Sequence, residues 1–105
     1  GNSLADELKR REPSTAEFSE LEKYFTVAAS EKLIHGDMKA TNFLLSEEQL
    51  IILDLDAMRE IKWHSHWRKL FLSDFVRFER NVYAANAVWL SPLRKLVVQL
   101  TENHS

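Results

Sequence analysis

Cysteine is absent from the 105-residue sequence, and glycine and proline each occur only twice. Without cysteine the chain can form neither disulfides nor thiolate metal sites. Two glycines are too few for a glycine-rich phosphate-binding loop. No apolar run approaches the length of a membrane span, and the polar start of the sequence does not resemble a signal peptide.

Neither sign of charge dominates the sequence. The 14 basic and 16 acidic side chains give a net charge of −2, and the isoelectric point is near 6.1. The chain as a whole therefore has no electrostatic attraction for nucleic acid or for anionic lipid. We expect no nucleic-acid partner.

The apolar content is sufficient for one modest core. Hydrophobic residues make up 45% of the sequence, and aromatic residues make up 10%. A chain of this length normally forms one domain, so we expect a single domain over residues 1–105, with residues 1–3 as a remnant of cloning. The sequence contains no internal repeat and no low-complexity tract.

Two short apolar runs, residues 43–45 and 50–53, are joined by the polar residues Ser-Glu-Glu-Gln. This pattern predicts two buried strands connected by a short loop. We expect the strands to pair antiparallel, with Leu45 opposite Leu50.

Polar side chains flank the open end of this predicted hairpin. Asn42 immediately precedes the first run and Asp54 immediately follows the second, so their Cα atoms are expected to lie about 4.5–5.5 Å apart. An amide oxygen and a carboxylate at that separation suit Mg²⁺, which binds few protein oxygens and keeps waters or substrate phosphate as further ligands. We therefore predict a metal site at Asn42 and Asp54.

Two charged residues precede Asn42 in a dense polar segment, residues 35–42. Asp37 can accept the proton of an attacking hydroxyl, and Lys39 can balance the charge of a phosphate group. The alternative is that the polar residues of this segment only cap turns, as Asp and Asn often do. That alternative does not account for the second acidic position at Asp54.

Residues 35–42 read His-Gly-Asp-Met-Lys-Ala-Thr-Asn and fit the pattern H-x-D-x-K-x-x-N. Here the sequence resembles the catalytic loop of the eukaryotic-like protein kinase superfamily, with Asp54 at the position of the D-F-G aspartate. The resemblance implies that Asp37 is the catalytic base and that Lys39 contacts the transferring phosphate of ATP. It also implies that Asn42 and Asp54 bind Mg²⁺, so ATP and Mg²⁺ are the expected cofactors.

The amino-acid sequence of two segments, residues 35–37 and 54–59, is most similar to that of the bacterial lipopolysaccharide core kinases, which phosphorylate heptose or Kdo sugars. This resemblance implies an ATP-dependent transfer to a sugar hydroxyl of the lipopolysaccharide core. It also implies a cytoplasmic protein that contacts the inner membrane peripherally.

The sequence departs from the kinase pattern on both sides of the loop. No glycine-rich loop and no strand lysine with its helix glutamate precede His35, so we expect a kinase-like C-lobe without the N-lobe, weakly active or inactive alone. Leu55 and Asp56 replace the Phe and Gly of D-F-G, and no A-P-E segment follows. Two roles remain open for Asp56. It binds the metal or a water on the metal, or it is a solvated acid with no ligand.

Two other functions remain open from the sequence. The first is a non-catalytic, kinase-like binding or regulatory module, in which a partner or a second copy covers the surface that an N-lobe would occupy. This hypothesis predicts self-association. The second is a small-molecule kinase of the aminoglycoside or choline type, because such kinases also carry His-Gly-Asp and a later Asp. The residues that bind the acceptor cannot be identified from this sequence.

Three amphipathic helices are predicted outside the hairpin. Ser14 and Glu17 form a capping-box pattern, which predicts a helix over residues 15–32. Apolar residues recur at helical spacing over residues 67–85, and a Ser-Pro pair at 91–92 predicts a last helix, with residues 101–105 frayed. The expected fold is α+β and mainly α, a kinase-like C-lobe with three main helices and one small β-hairpin.

The long helix carries charged residues of several kinds. His64 and His66 are two positions apart, so their rings point apart on a helix, and we favour capping and surface packing over metal binding. Asp74 and Arg77 have the spacing of a helical ion pair. Four basic residues give the helix a basic side: Arg68, Lys69, Arg77 and Arg80. We favour a solvated surface for them over contacts with phosphorylated sugar or anionic headgroups.

Overall fold

The computed structural model describes residues 2–3, 8, 11–36, 43–46, 49–52, 58–82 and 88–102. Its elements follow in the order β1 (Asn2–Ser3), α1 (Thr15–Ser30), β2 (Leu33–Ile34), β3 (Phe43–Ser46), β4 (Gln49–Ile52), β5 (Arg59–Glu60), α2 (His64–Val82) and α3 (Leu90–Glu102). The structure thus confirms the α+β, mainly α class, with three main helices and a hairpin. Within the described residues, no helix combines the length and the apolar character that crossing a bilayer requires.

Helix α1 begins as the capping box predicts. The Ser14 hydroxyl accepts the Glu17 N–H at 3.1 Å, and the Glu17 carboxylate accepts the Ser14 N–H at 2.8 Å. Arg11 adds two hydrogen bonds to the same carboxylate, at 2.7 and 3.0 Å. The hydrogen bonds from Arg11 are the main reason why the pKa of Glu17 lies below its ordinary value.

The end of α1 differs from the prediction by two residues. The helix ends at Ser30, not at residue 32, because Lys32 has the left-handed conformation with φ of 55°. The Lys32 N–H donates to the Ala29 carbonyl at 3.2 Å, which satisfies one of the last carbonyls of the helix. A glycine is the usual residue at such a position, because a Cβ atom costs about 1–2 kcal/mol there.

Helix α2 begins three residues before the predicted start at residue 67. The Trp63 carbonyl accepts the Trp67 N–H at 2.8 Å, so the first turn already forms over residues 63–67. The C-terminal part of the predicted helix, residues 83–85, lies outside the described residues. The buried apolar residues of α2 are Trp67, Phe71, Phe75, Phe78 and Val82.

Helix α3 begins at Leu90, one residue before the predicted cap at Ser91. The Ser91 N–H donates to the Val88 carbonyl at 3.1 Å, so Ser91 already lies within the first turn. The expectation that the chain frays from Thr101 onwards is wrong for that residue, because Thr101 lies within the helix and is only 1% exposed. Residues 103–105 are not described.

The core is built around Phe25 of α1. The edge of this ring meets three rings of α2, those of Phe71, Phe75 and Phe78, at centroid distances of 6.0, 5.5 and 5.9 Å. Leu93 of α3 is also fully buried in this core. Since all three helices contribute, the position of α2 is fixed by the core as a whole.

Strands β3 and β4 form the predicted hairpin. Leu45 pairs with Leu50, which confirms the predicted register, and β1 adds a third strand along β3. Strand β1 consists of Asn2 and Ser3, residues for which the sequence predicted no structural role. A second, two-stranded antiparallel sheet joins β2 to β5, a pairing that the sequence analysis did not predict.

Candidate functional site

The predicted site residues Asp37, Lys39, Asn42 and Asp54 lie outside the described residues, as does Asp56. Their assignment therefore stays a prediction. The structure does describe the segments next to them: residues 33–36, which lead into the polar loop, and the hairpin β3–β4, which follows the loop.

The hairpin brings two chain segments of the predicted site to one end of the sheet. Phe43 pairs with Ile52. Asn42 is the residue before Phe43, and Asp54 is the second residue after Ile52. The predicted pairing of Leu45 with Leu50 is thus confirmed, but this register does not make Asn42 and Asp54 direct partners, because Asn42 is one residue from Phe43 and Asp54 is two residues from Ile52. The metal site stays a prediction.

The segment that leads into the loop is buried between the helices and β5. Leu33 and Ile34 pair with Glu60 and Arg59, and His35 is 0% exposed. Gly36 has φ of 90°, a value that favours glycine because no Cβ atom clashes with the backbone there. The backbone therefore turns sharply one residue before Asp37.

A buried carboxylate of α2 holds this turn. Asp74, only 6% exposed, accepts the His35 N–H at 2.7 Å. Its two oxygens also accept the Gly36 N–H, at 3.2 and 3.4 Å. Charge-assisted hydrogen bonds of this kind are stronger than neutral ones, so Asp74 fixes two successive peptide groups ahead of Asp37.

Arg77, one helical turn beyond Asp74, holds the other side of Gly36. Its Nη1 atom donates to the Gly36 carbonyl at 3.1 Å. The N–H and the C=O of Gly36 are therefore both bound by α2, and the Gly36 carbonyl belongs to the peptide bond that begins Asp37. The direction in which the chain enters the polar loop is set by these contacts.

Burial dominates the electrostatics of Asp74. It raises the pKa of this carboxyl, and the hydrogen bonds from the His35 and Gly36 N–H groups offset part of that effect. Burial also raises the pKa of the Tyr24 hydroxyl above its ordinary value, with the nearby Asp74 charge as a second cause. An ionised Asp74 thus depends on the peptide donors of residues 35 and 36 for its solvation.

The contact of Asp74 with the backbone of residues 35 and 36 was not predicted from the sequence. The sequence predicted a helical ion pair with Arg77, whose charge does interact with Asp74; in addition, both side chains bind backbone groups of residues 35 and 36. A signal was available, because Asp74 lies seven residues after Trp67 and four before Phe78, which places it on the apolar side of the helix. An acid on that side needs a buried partner.

The N-terminal end of α2 holds residues 32 and 33 through the side chains of Trp67 and His64. The Trp67 indole N–H donates to the Leu33 carbonyl at 3.0 Å. The Lys32 Nζ atom lies 4.4 Å from the centroid of the Trp67 ring and 3.0 Å from His64 Nδ1. His64 Nε2 in turn lies 3.0 Å from the Thr101 carbonyl, so Nε2 carries the proton and Nδ1 accepts from Lys32.

The histidine pair of α2 fits the predicted packing role. His64 bridges Lys32 and Thr101, while His66 is exposed. In the part of the chain that the structure describes, no group of three histidine, cysteine or acidic side chains is placed to hold a metal ion. That finding does not extend to residues 37–42 and 53–57.

The loop sequence resembles a protein-kinase catalytic loop, and the comparison with protein families supports a protein-kinase-like class. The family profile described as the RIO domain matches residues 3–85. The chain therefore belongs to the RIO domain family, an atypical protein-kinase-like family. No curated protein and no solved structure matches the chain. The match extends over the polar loop, the hairpin and all of α2, and kinase-like domains of this family generally bind ATP and Mg²⁺.

Proposed function

We propose that this chain is part of an ATP- and Mg²⁺-dependent phosphotransferase that transfers a phosphoryl group to a hydroxyl. The observation that carries this proposal is the RIO domain match over residues 3–85, because the match contains the whole H-x-D-x-K-x-x-N segment and Asp54. Phosphoryl transfer depends mainly on positioning and on charge neutralisation. A rigid start of the loop is therefore what such a site requires.

We assign the roles within the loop as follows. Asp37 orients the acceptor hydroxyl and accepts its proton, and Lys39 contacts the transferring phosphate. Support comes from the position of Asp37 directly after Gly36, whose N–H and C=O are both bound by α2. Because the two preceding peptide groups are fixed, the backbone of residue 37 begins from a defined position.

We assign Asn42 and Asp54 as the residues that would hold Mg²⁺. Their amide and carboxylate oxygens are the donor types that this ion prefers. Support comes from the hairpin, since Phe43, which follows Asn42, pairs with Ile52, which lies two residues before Asp54, so that both chain segments reach the same end of the sheet. When bound, the ion would neutralise charge on the phosphates of ATP.

We propose a sugar hydroxyl of the lipopolysaccharide core as the acceptor. The support is the resemblance of residues 35–37 and 54–59 to kinases of that class. Small hydroxyl compounds of the aminoglycoside and choline type are the competing acceptors. Comparison of phosphoryl transfer to isolated core oligosaccharide and to these small molecules distinguishes the two hypotheses.

The first experiment is calorimetric titration of the folded chain with ATP in the presence and absence of Mg²⁺. We expect weak binding of ATP, because the sequence contains no glycine-rich loop. The binding should need both the metal and Asp54, because Asp54 is a proposed ligand of the metal. Asp54→Ala should abolish the binding, and Asp37→Asn should retain it. The absence of any binding by a folded chain would contradict the proposal and favour the non-catalytic module.

Transfer itself is measured separately. We expect turnover by the isolated chain to be at the level of the Asp37→Asn control. Sedimentation tests the module hypothesis, since self-association is expected if a second copy covers the nucleotide-binding side. A monomer at high concentration would count against that hypothesis.

A further inference from the structure

The solvent side of α2 presents a row of basic residues. Lys69, Arg77 and Arg80 are all exposed, and their spacing of eight and then three residues places them on one side of the helix. Lys62, also exposed, lies just before the helix. We call these four residues the basic row.

The two acids of α2 do not offset the charges of Lys69 and Arg80, although Asp74 interacts electrostatically with Arg77. Between residues 61 and 82 the acidic residues are Asp74 and Glu79. Asp74 is buried against His35 and Gly36. The Glu79 side chain is 16% exposed and is paired with Arg94. Lys69 and Arg80 are therefore two exposed positive charges that the acids of α2 do not offset, on a chain whose net charge is −2.

An exposed tryptophan lies at the start of the basic row. Trp63 is 78% exposed, although its carbonyl caps the first turn of α2 and so fixes its backbone. Tryptophan with adjacent basic residues is typical of protein surfaces that rest on the interface of a bilayer, where the ring sits at headgroup level. A structural role in the core does not explain Trp63, because so little of its side chain is buried.

We propose that the basic row and Trp63 form a docking surface for the anionic face of a lipid bilayer. Within α2 the row extends from Lys69 to Arg80, over about 17 Å at 1.5 Å per residue. Single-stranded nucleic acids are usually bound in a basic groove, whereas a bilayer surface needs only charges that share one side. The apolar side of α2 is buried in the core, so the helix adsorbs to the headgroups and does not insert.

The basic row borders the start of the polar loop. Arg77 belongs to the row and also donates to the Gly36 carbonyl, one residue before Asp37. If the proposed phosphotransfer is right, an acceptor carried on a lipid would approach the loop from this side. The docking itself does not depend on that activity, and it is tested without ATP.

The test is co-sedimentation of the chain with vesicles that contain phosphatidylglycerol and phosphatidylcholine, against vesicles of phosphatidylcholine alone. We expect binding to the anionic vesicles only, weakening as salt is raised. The double variant Lys69→Gln/Arg80→Gln removes two charges from the row, and it should bind about 25-fold more weakly, since each basic residue contributes about five-fold. Trp63→Ala should weaken binding further by several-fold.

A matched control has the same net charge as the test variant. Lys23→Gln/Lys95→Gln removes two exposed basic residues, one on α1 and one on α3. We expect this control to bind as the unaltered chain does, within about two-fold, because neither residue belongs to the row. All four substituted residues are exposed, and circular dichroism verifies that both variants are folded.

Three outcomes would overturn the proposal. The first is an equal loss of binding in the two double variants, which would mean that net charge alone is sensed. The second is equal binding to neutral and anionic vesicles. The third is tighter binding to polyuridylic acid than to anionic vesicles, with the same dependence on Lys69 and Arg80, which would make the row a nucleic-acid surface.

Discussion

The two ends of α2 hold the same short segment, residues 32–36, with different chemistry. At one end Trp67 combines a fully buried ring with a neutral hydrogen bond to the Leu33 carbonyl. At the other end the Asp74 carboxylate accepts hydrogen bonds from the His35 and Gly36 N–H groups. The first end depends on burial of apolar surface, which is insensitive to pH, and the second depends on the solvation of one carboxylate.

The two ends of α2 therefore contribute to different properties of the protein, the Trp67 end to the stability of the core and the Asp74 end to the position of the loop. The aromatic end contributes to the stability of the whole core, because Trp67 also stacks on Phe71 at a centroid distance of 4.6 Å. The acidic end fixes two peptide groups directly ahead of the proposed base Asp37. Substitutions at the aromatic end should therefore unfold the protein, and substitutions at the acidic end should release the loop.

The largest effect is expected from Trp67→Ala. Removing a fully buried indole leaves a cavity and should lower the free energy of unfolding by about 3–5 kcal/mol, which exceeds the reserve of many small domains. Urea denaturation followed by circular dichroism measures this loss. Trp67→Phe keeps most of the volume and removes the donor to Leu33, so it should cost only about 1–2 kcal/mol. Similar losses for the two variants would contradict the dominant role of burial.

Asp74→Ala should lower the free energy of unfolding by about 2–3 kcal/mol. The cause is the buried His35 N–H, which would be left without an acceptor, whereas water can reach the exposed Gly36. Asp74→Asn keeps one acceptor oxygen and should cost roughly half as much. Chemical denaturation of both variants measures the difference. A loss below 0.5 kcal/mol for Asp74→Ala, on the scale of about 1 kcal/mol per hydrogen bond, would show that water replaces the carboxylate.

Lowering the pH should affect Asp74 and Glu17 in opposite directions. The pKa of Asp74 is raised, so its contribution to stability is complete below the ordinary value of 3.8 and is lost as the pH rises through the raised value. The pKa of Glu17 is lowered, so its contribution is present above the ordinary value of 4.5 and is lost as the pH falls through the lowered value.

The two carboxyl groups can therefore be separated by variants. Measured against the unaltered chain, the destabilisation caused by Asp74→Asn should be larger at pH 3 than at pH 7. The destabilisation caused by Glu17→Gln should be smaller at pH 3 than at pH 7. Urea titrations at both pH values provide the comparison. The same pH trend in both variants would contradict the opposite pKa shifts.

The smallest effect is expected from Lys32→Gly. Glycine removes the cost of the left-handed backbone, but it also removes the contacts of Lys32 with the Trp67 ring and with His64. Strain relief of about 1–2 kcal/mol is offset by the lost cation–π contact and by the greater freedom of glycine in the unfolded chain. The midpoint of thermal unfolding should therefore change by only a few degrees.

Lys32→Ala is the control for this small effect. Alanine retains the backbone strain and loses the same contacts, so it should lower the free energy of unfolding by about 1 kcal/mol. Equal stability of the glycine and alanine variants would show that the cost of the left-handed conformation is no larger than the entropic cost of glycine in the unfolded chain.

The elements that the sequence predicted are those with a local signal. The start of α1 followed from the capping box of Ser14 and Glu17, and the register of the hairpin followed from two apolar runs joined by a short loop. Both signals lie within a few residues. Helix ends were less accurate, because the end of α1 depends on the contacts that hold Lys32 in the left-handed conformation.

The contacts that position the loop could not be predicted in the same way. Asp74 lies 39 residues from His35, and its place on the apolar side of α2 indicates burial but does not identify its partner. The pairing of β2 with β5 involves two residues on each strand, too few for any periodicity. The assignments of Asp37, Lys39, Asn42 and Asp54 stay predictions, since these residues lie beyond the described part of the chain.

The most direct test of the account is amide hydrogen exchange at His35, resolved by NMR, with Phe25 as the reference amide in the core. If Asp74 holds the start of the loop, Asp74→Asn should accelerate exchange at His35 at least ten-fold more than at Phe25, on the scale of a lost charged hydrogen bond. Trp67→Phe should accelerate both amides equally. Equal acceleration of the two amides in Asp74→Asn would contradict the account, because Asp74 would then support only the fold as a whole.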